Sequence, residues 1–355
     1  LVRKPLIALA AIGAAAAVTV TAATAGGAHQ GKATANADVC VLLPDTKSSA
    51  RYELFDRPYL AKAFKTAGVS YNIVNAQGDP QTMRSQADDC VTNGAKVVLL
   101  DALDPGSGAG ITNAVVAGGA KVIDYDRLVP NSKASYYVSF DNVKVGALMG
   151  NGLVAALKGN GKYSKKPVVS ILNGGITDNN AKLFKQGYDG VLNPLFKNGT
   201  FKKAAAGDQW TDWDPNKGLT IFEQMLARNN NKIDASIAAN DGLAGAVISA
   251  LKNHGLKPIP VTGQDATPTG VQYILAGWQS GTVYKSVKAE AAAAATVAIN
   301  IIKNKPVKTN GTVSGTKSVL LTPVWVTKKN YGLLFKDGFV KRTQVCAGSY
   351  QKYCK

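Results

Sequence analysis

From about residue 39 onward, short runs of Val, Ile and Leu alternate with longer stretches of helical period. The apolar runs are Val39–Leu43, Tyr71–Val74, Val97–Leu100, Lys121–Ile123, Tyr136–Ser139, Val168–Leu172, Lys202–Ala206, Ala235–Ala238, Ile259–Thr262 and Thr282–Tyr284. Between them the spacing predicts helices over 53–67, 80–93, 108–118, 142–158, 179–196, 215–229, 241–254 and 286–303. Continuously apolar strands alternating with helices are strands covered on both faces, so the pattern predicts an α/β fold with parallel sheets.

The alternation falls into two comparable halves, one ending near Phe140 and the other continuing to about Tyr284. An Ala-rich helix (SVKAEAAAAATVAINIIK, 286–303) and the run Ser318–Pro323 follow when the second half already looks complete. A helix of small residues packs closely against a sheet. This segment is therefore expected to return to the first half, which makes the chain cross between two domains more than once.

Composition refines this picture in three places. The formal charge is +18 over 355 residues. The Lys residues are dispersed and no zinc-finger or RNA-binding signature occurs, so the charge reads as a solvated basic surface and no nucleic acid is expected as partner. Loose attraction to anionic wall polymers or lipid headgroups is its by-product, and membrane contact is expected only indirectly.

The N-terminus reads as a leader over 1–25 followed by a linker over 26–37. Arg3 and Lys4 precede the apolar stretch 5–20, and Ala23-Thr24-Ala25 offers a small-x-small cleavage site, with Ala35 and Ala37 as later options. Export outside the membrane follows, either periplasmic or extracellular and wall-associated. No Cys closes the leader, so lipid anchoring is not expected. The four cysteines, Cys40, Cys90, Cys346 and Cys354, suit disulfides in an exported chain. Cys346 and Cys354 bracket a short polar loop and are expected to pair. Cys40 and Cys90 either form a second bridge or remain buried thiols.

Ligands of open α/β sheets bind beyond the carboxyl ends of the strands. Polar residues recur at those ends. Leu43 leads to the loop PDTKSSARY, Leu100 to Asp101, Ile123 to DYDR, Leu172 to NGG and then Asp178-Asn179-Asn180, Ala239 to Asn240-Asp241, and Thr262 to Gly263-Gln264-Asp265. Trp210 and Trp213 follow the run ending at Ala206. Singly, such Asp and Asn residues cap helices and shape turns. As a repeated set with aromatics they suit a neutral polyol: carboxylates and amides pair with adjacent hydroxyls, Arg offers a planar fork, and an aromatic face covers the apolar side of a sugar ring. Catalysis fits poorly. The only histidines are His29 and His254, so Ser-His or Cys-His chemistry has little support. No spacing of ligands suits a metal, and no cofactor is expected.

Several segments, in this order and spacing, resemble the type I periplasmic sugar-binding proteins of ABC importers, close to the xylose-binding and multiple-sugar-binding members. They are PDTKSSARY (44–52), DYDR (124–127), SFDNVKVG (139–146), DNNAKLF (178–184), GDQW (207–210), NNNKIDA (229–235), AANDG (238–242), GQDA (263–266) and TVYK (282–285). The resemblance spans about Asp38 to Val340. It implies two Rossmann-like lobes with parallel sheets, joined by a hinge of three segments near Phe140–Asp141, Val283–Lys285 and Leu321–Pro323. The N-terminal lobe would comprise 38–140 plus 286–320 and the C-terminal lobe 141–284 plus 321–340, with a Cys-bracketed tail over 341–355.

It also implies a monosaccharide held between the lobes. Arg51 and Tyr52 would contact it from the first loop, where family members often carry Trp at the second position, with Lys47 in the same loop. Asp126 and Arg127 would bind hydroxyls from the first lobe. Asp178, Asn180, Asn240 and Asp265 would do so from the second, with Trp213 stacking and Lys285 donating from the hinge. The expected function is capture of D-xylose and its delivery, without catalysis and as a monomer, to the permease subunits of an importer. The alternative is a binder of glucose or several aldoses serving a chemosensory or sensor-kinase system. A LacI-type regulator shares the fold but would begin with a helix-turn-helix where this chain has a leader.

Overall fold

The computed structural model describes residues 36–354. The expected leader, His29 and nearly all of the expected linker lie outside the described residues.

Strand β1 (Val39–Leu43, VCVLL) is buried at every position. Such a strand needs a partner on each edge and cover on each face. It lies parallel to both β2 (Tyr71–Asn75) and β3 (Val97–Leu100), and β4 (Lys121–Tyr125) and β5 (Tyr136–Phe140) extend the sheet beyond β3. Helix α1 (Arg57–Ala67) covers one face; α2 (Pro80–Thr92) and α3 (Pro105–Ala117) cover the other.

The chain then leaves this sheet. Helix α4 (Asn142–Gly159) opens a second layer with β6 (Val168–Asn173), α5 (Asn179–Lys197), β7 (Lys202–Trp210), α6 (Pro215–Arg228), β8 (Ala235–Ala238), α7 (Asp241–Asn253), α8 (Pro268–Ala276) and β9 (Thr282–Tyr284). Strands β7-β6-β8 are parallel. Parallel bridges Ser236–Val261 and Gln264–Val283 carry the sheet onward to β9. Helices α4 and α5 cover one face and α6 and α7 the other. The backbones of α4 and α5 touch, because a Cβ on Gly146 would stand 1.9 Å from the Phe184 carbonyl oxygen and one on Gly187 2.1 Å from that of Val143. This close pairing brings Asn142 to 2.9 Å from Asn180.

Helix α9 (Val287–Ile302) returns to the first sheet, where Ala291, Ala294, Ala295 and Ala298 form its buried stripe. Small residues at that spacing let the helix lie close, as the sequence predicts. Strands β10 (Gly311–Val313) and β11 (Thr316–Leu321) then complete a first sheet of order β10-β11-β5-β4-β3-β1-β2. Strand β12 (Val324–Val326) pairs antiparallel with β9 in the second layer. The chain thus passes between the layers after Phe140, after Tyr284 and after Leu321. The first and third passages are tied together, the Asp141 amide donating to the Leu321 carbonyl at 3.0 Å.

The last segment holds α10 (Gly332–Lys336), α11 (Arg342–Val345) and a 3₁₀ turn over Gly348–Tyr353. Leu334, Phe339, Val340 and Val345 pack on Val271 and Leu275 of α8 and on Tyr284 and Val287 at the second passage. Both cysteine pairs are bonded: Cys346–Cys354 closes this tail, and Cys40–Cys90 joins β1 to α2.

Some elements differ from the sequence pattern. Ile259–Thr262 makes only a bridge, since Pro258 and Pro260 supply no N–H to a ladder. Strand β7 continues past Ala206 to Trp210 through an irregularity in its pairing with β6, where Ala206 takes φ 53°. Helix α8 was not anticipated, although Thr267 caps it and Pro268 opens it. The hairpin β10–β11 turns on Ser314 and Gly315, both with positive φ.

Candidate functional site

In both sheets the strand order reverses direction, around β1 and around β6. The crevice of a doubly wound sheet lies at that reversal, beyond the carboxyl ends of the strands. The two crevices face each other across one cleft, partly open to solvent.

The first sheet supplies one wall. The loop after β1 passes into a π-helical turn over Tyr52–Asp56 that runs directly into α1. It presents Ser48, Ser49, Arg51 and Tyr52 to the cleft, and β4 presents Asp126 and Arg127 just beyond its end. Asp126 has φ 56°, an uncommon conformation for a residue with a Cβ. Its backbone carbonyl accepts Ser139 Oγ at 2.8 Å and Asn180 Nδ2 at 2.9 Å, which keeps the residue in place. The Asp126 carboxylate accepts the Tyr52 hydroxyl at 3.2 Å and the Lys285 ammonium at 3.2 Å. Burial opposes its ionisation, but Lys285, Arg51 and Arg127 prevail and hold it below the usual carboxylate range. Tyr52 lies between two guanidiniums, with Arg51 Cζ 5.4 Å and Arg127 Cζ 5.8 Å from its ring centre. Arg127 is nearly buried and reaches Ser48 Oγ at 3.0 Å, with wholly buried Asp101 behind its Nε at 3.5 Å.

The second layer supplies the opposite wall. Asp178 and Asn240 each cap a helix that starts at the cleft, α5 and α7. Asp178 also accepts Trp213 Nε1 at 3.0 Å, which sets the indole plane. Trp213 has φ 60° and packs edge-on to Phe184, with ring centres 6.4 Å apart. Gly174 and Gly175 make room for it: a Cβ on Gly174 would stand 2.2 Å from Trp213 Cζ2. Asp265, at φ 101°, and Gln264 line the floor after the 261–264 bridge. Loss of solvent raises the Asp265 carboxyl against the pull of Lys285. Lys285 arrives from the second passage between layers. Burial opposes its charge, yet Asp126 and the neighbouring carboxylates raise it above the usual ammonium value.

All the expected contact residues except Lys47 line this cleft. Lys47 is 76% exposed and pairs with Asp214 at 3.0 Å across the mouth, because its loop turns it away from the interior. Arg127 also faces Asp178 across the cleft, at 3.9 Å. Sequence reasoning missed Ser48, Ser49, Phe184 and Gln264 as lining residues. Phe184 was findable, since it stands four residues after Asn180 and so shares its helix face. The lining carries three cations (Arg51, Arg127, Lys285) and three carboxylates (Asp126, Asp178, Asp265). A balanced ring of donors and acceptors beside an indole face is suited to an uncharged, hydroxyl-rich ligand.

The periplasmic binding protein domain matches residues 40–306. The chain belongs to the periplasmic binding protein family. It is 37% identical over 300 residues to the D-xylose-binding periplasmic protein of Escherichia coli, covering 82% of this chain and 87% of that one. It is 31% identical over 324 residues to the multiple sugar-binding periplasmic receptor ChvE of Rhizobium radiobacter, covering 84% and 90%. Among solved structures, a carbohydrate transporter solute binding protein from Chloroflexus aurantiacus in complex with D-glucose superposes with a TM-score of 0.79 at 27% identity, over 87% of this chain and 98% of that one. The type I fold of the family agrees with the layered topology described above. Among the described residues, no helix is long and apolar enough to cross a membrane.

Proposed function

We propose that this protein captures an aldose, D-xylose foremost, in the cleft and delivers it to the permease subunits of an ABC importer. The observation that carries this reading is the charge-balanced ring closed by Trp213, whose two halves stand on different layers. Arg51, Tyr52, Asp126 and Arg127 bind hydroxyls from the first wall. Asp178, Asn180, Asn240 and Asp265 bind them from the second, Trp213 covers the ring face, and Lys285 donates from the hinge. The two layers act as lobes, split as 38–140 plus 286–320 and 141–284 plus 321–340, and the three passages act as the hinge. Hinge closure around a ligand is the motion of periplasmic binding proteins. A ligand touching both walls makes all its contacts only when they meet, so it stabilises the closed form by its differential affinity. The protein is exported, acts as a monomer and releases its ligand unchanged. Asp126, held ionised by its cationic neighbours, suits accepting hydroxyls better than donating a proton.

A second reading, binding of glucose or several aldoses for a sensory system, is favoured by the likeness to the multiple sugar-binding receptor and to the glucose-bound structure. Titration calorimetry with xylose, glucose, ribose, arabinose and galactose separates the two. Xylose is expected to bind in the micromolar range or tighter, and no heat with any pentose would remove the xylose assignment. In the same assay Arg127→Ala is expected to weaken binding by about 1–3 kcal/mol.

A further inference from the structure

Arg51 lines the cleft, yet most of its guanidinium is engaged behind it. Nε and Nη2 form a two-point pair with Asp56 at 2.9 and 2.8 Å. Nη2 also donates to Glu290 Oε2 at 2.6 Å. Only Nη1 remains toward the cleft, where Asp126 Oδ1 stands at 3.5 Å. Asp56 and Glu290 are both wholly buried, and Asp56 accepts the Tyr125 hydroxyl as well.

Asp56 alone neutralises Arg51, and burying a further carboxylate is unfavourable. What Glu290 adds is a third fixed point, on a different edge of the guanidinium from the Asp56 contact through Nε. Two donors to one carboxylate leave the guanidinium free to rock with its partner. A third acceptor on another element fixes its plane. That element is α9, whose first turn holds Glu290 directly after the second passage between layers. Lys285, on the passage itself, holds Asp126 at 3.2 Å. The two groups flanking the ligand side of the first wall, Arg51 and Asp126, are thus each anchored to the same hinge segment.

We infer that Glu290 is a positioning residue for ligand binding: it fixes the plane of Arg51 so that Nη1 donates to a sugar hydroxyl when the cleft is closed. The inference rests on the sugar-binding reading above. Because Glu290 lies on the hinge side, the orientation of Arg51 depends on where α9 stands relative to the first loop.

The test is a double-mutant cycle read by titration calorimetry with the aldose that wild type binds best. Burial pushes the Glu290 carboxyl up to about 8, so its role here is that of an acceptor, and Glu290→Met keeps an unbranched side chain of similar volume while removing that acceptor. In the wild-type background it is expected to raise Kd about ten-fold, the effect of losing one charge-assisted hydrogen bond. In the Arg51→Lys background, where no guanidinium plane exists to be fixed, the same change is expected to alter Kd by less than about two-fold. A merely structural role would give equal factors in both backgrounds and would overturn the assignment, as would an unchanged Kd in the first. Should Glu290→Met fail to fold, Glu290→Asp keeps the carboxyl group, withdraws it from Arg51 and carries the same expectation in both backgrounds. If wild type binds no aldose, the sugar reading falls and this inference falls with it. If wild type binds and Glu290 proves indifferent, only the inference falls.

Discussion

The two walls of the cleft are built on different principles. On the first wall the charged side chains hold one another: Arg51 with Asp56 and Glu290, Asp126 with Tyr52 and Lys285. On the second wall they are held by backbone and by one indole. Asp178 and Asn240 spend acceptors on helix amides, and Trp213 is seated over Gly174 and tied to Asp178. A mutually locked cluster arrives at the ligand prearranged, but each member is also part of the fold. Capping residues keep spare hydrogen-bonding capacity and can change with a smaller effect on stability.

Arg51→Ala should expose this contrast most strongly. It leaves Asp56 and Glu290 buried without their partner and is expected to destabilise the fold by about 3–5 kcal/mol, besides abolishing tight binding. Urea unfolding checks it. A loss of affinity without loss of stability would contradict the interlocked wall.

The carboxylates of the two walls should also titrate in opposite senses. Asp126 is held below the ordinary value, so its contribution is fully present above about pH 4 and is lost as pH falls through its lower native value. Asp265 is raised by loss of solvent, so stability drops as pH rises from about 4 toward its native value. Denaturation midpoints from pH 3 to 7 are therefore expected to lose part of their acid limb in Asp126→Asn. In Asp265→Asn they should rise at neutral pH while the acid limb is kept.

On the second wall, Trp213→Ala is expected to weaken sugar binding by about 1–3 kcal/mol, with a smaller cost in stability because the ring is only half-buried. Calorimetry and thermal unfolding on one sample separate the two effects. The smallest effect belongs to Lys47→Ala. Its exposed pair with Asp214 joins the walls at the mouth, and its removal should change Kd by no more than about five-fold, fading with added salt. A larger loss would return Lys47 to the ligand.

How much of this was readable beforehand follows from what each residue depends on. Asp126, Arg127, Asp178, Asn240 and Asp265 could be named because each follows an apolar run, and the end of a run is a local property of the chain. The outward turn of Lys47 and the inward turn of Ser48 and Ser49 were unreadable for one reason: the loop after β1 has no period, so nothing in it tells which side chain turns inward. The Gly174-Gly175 pair is too short to signal a phosphate-binding loop, and its role beneath Trp213 required knowing where a ring some forty residues later would lie. Glu290 was hidden inside an Ala-rich helix, where a single acidic residue in the first turn reads as an ordinary helix start.

The sequence by itself determined the alternation of strand and helix, the return of the Ala-rich helix to the first sheet and the polar strand ends, because these depend on periods of two to four residues. Only the tertiary structure decided that the two sets of strand ends face one cleft, that Arg51 has a single nitrogen left for a ligand, and that Lys47 points to solvent. Those outcomes depend on three chain passages meeting between two sheets, and the groups that meet there are separated along the chain by up to 239 residues.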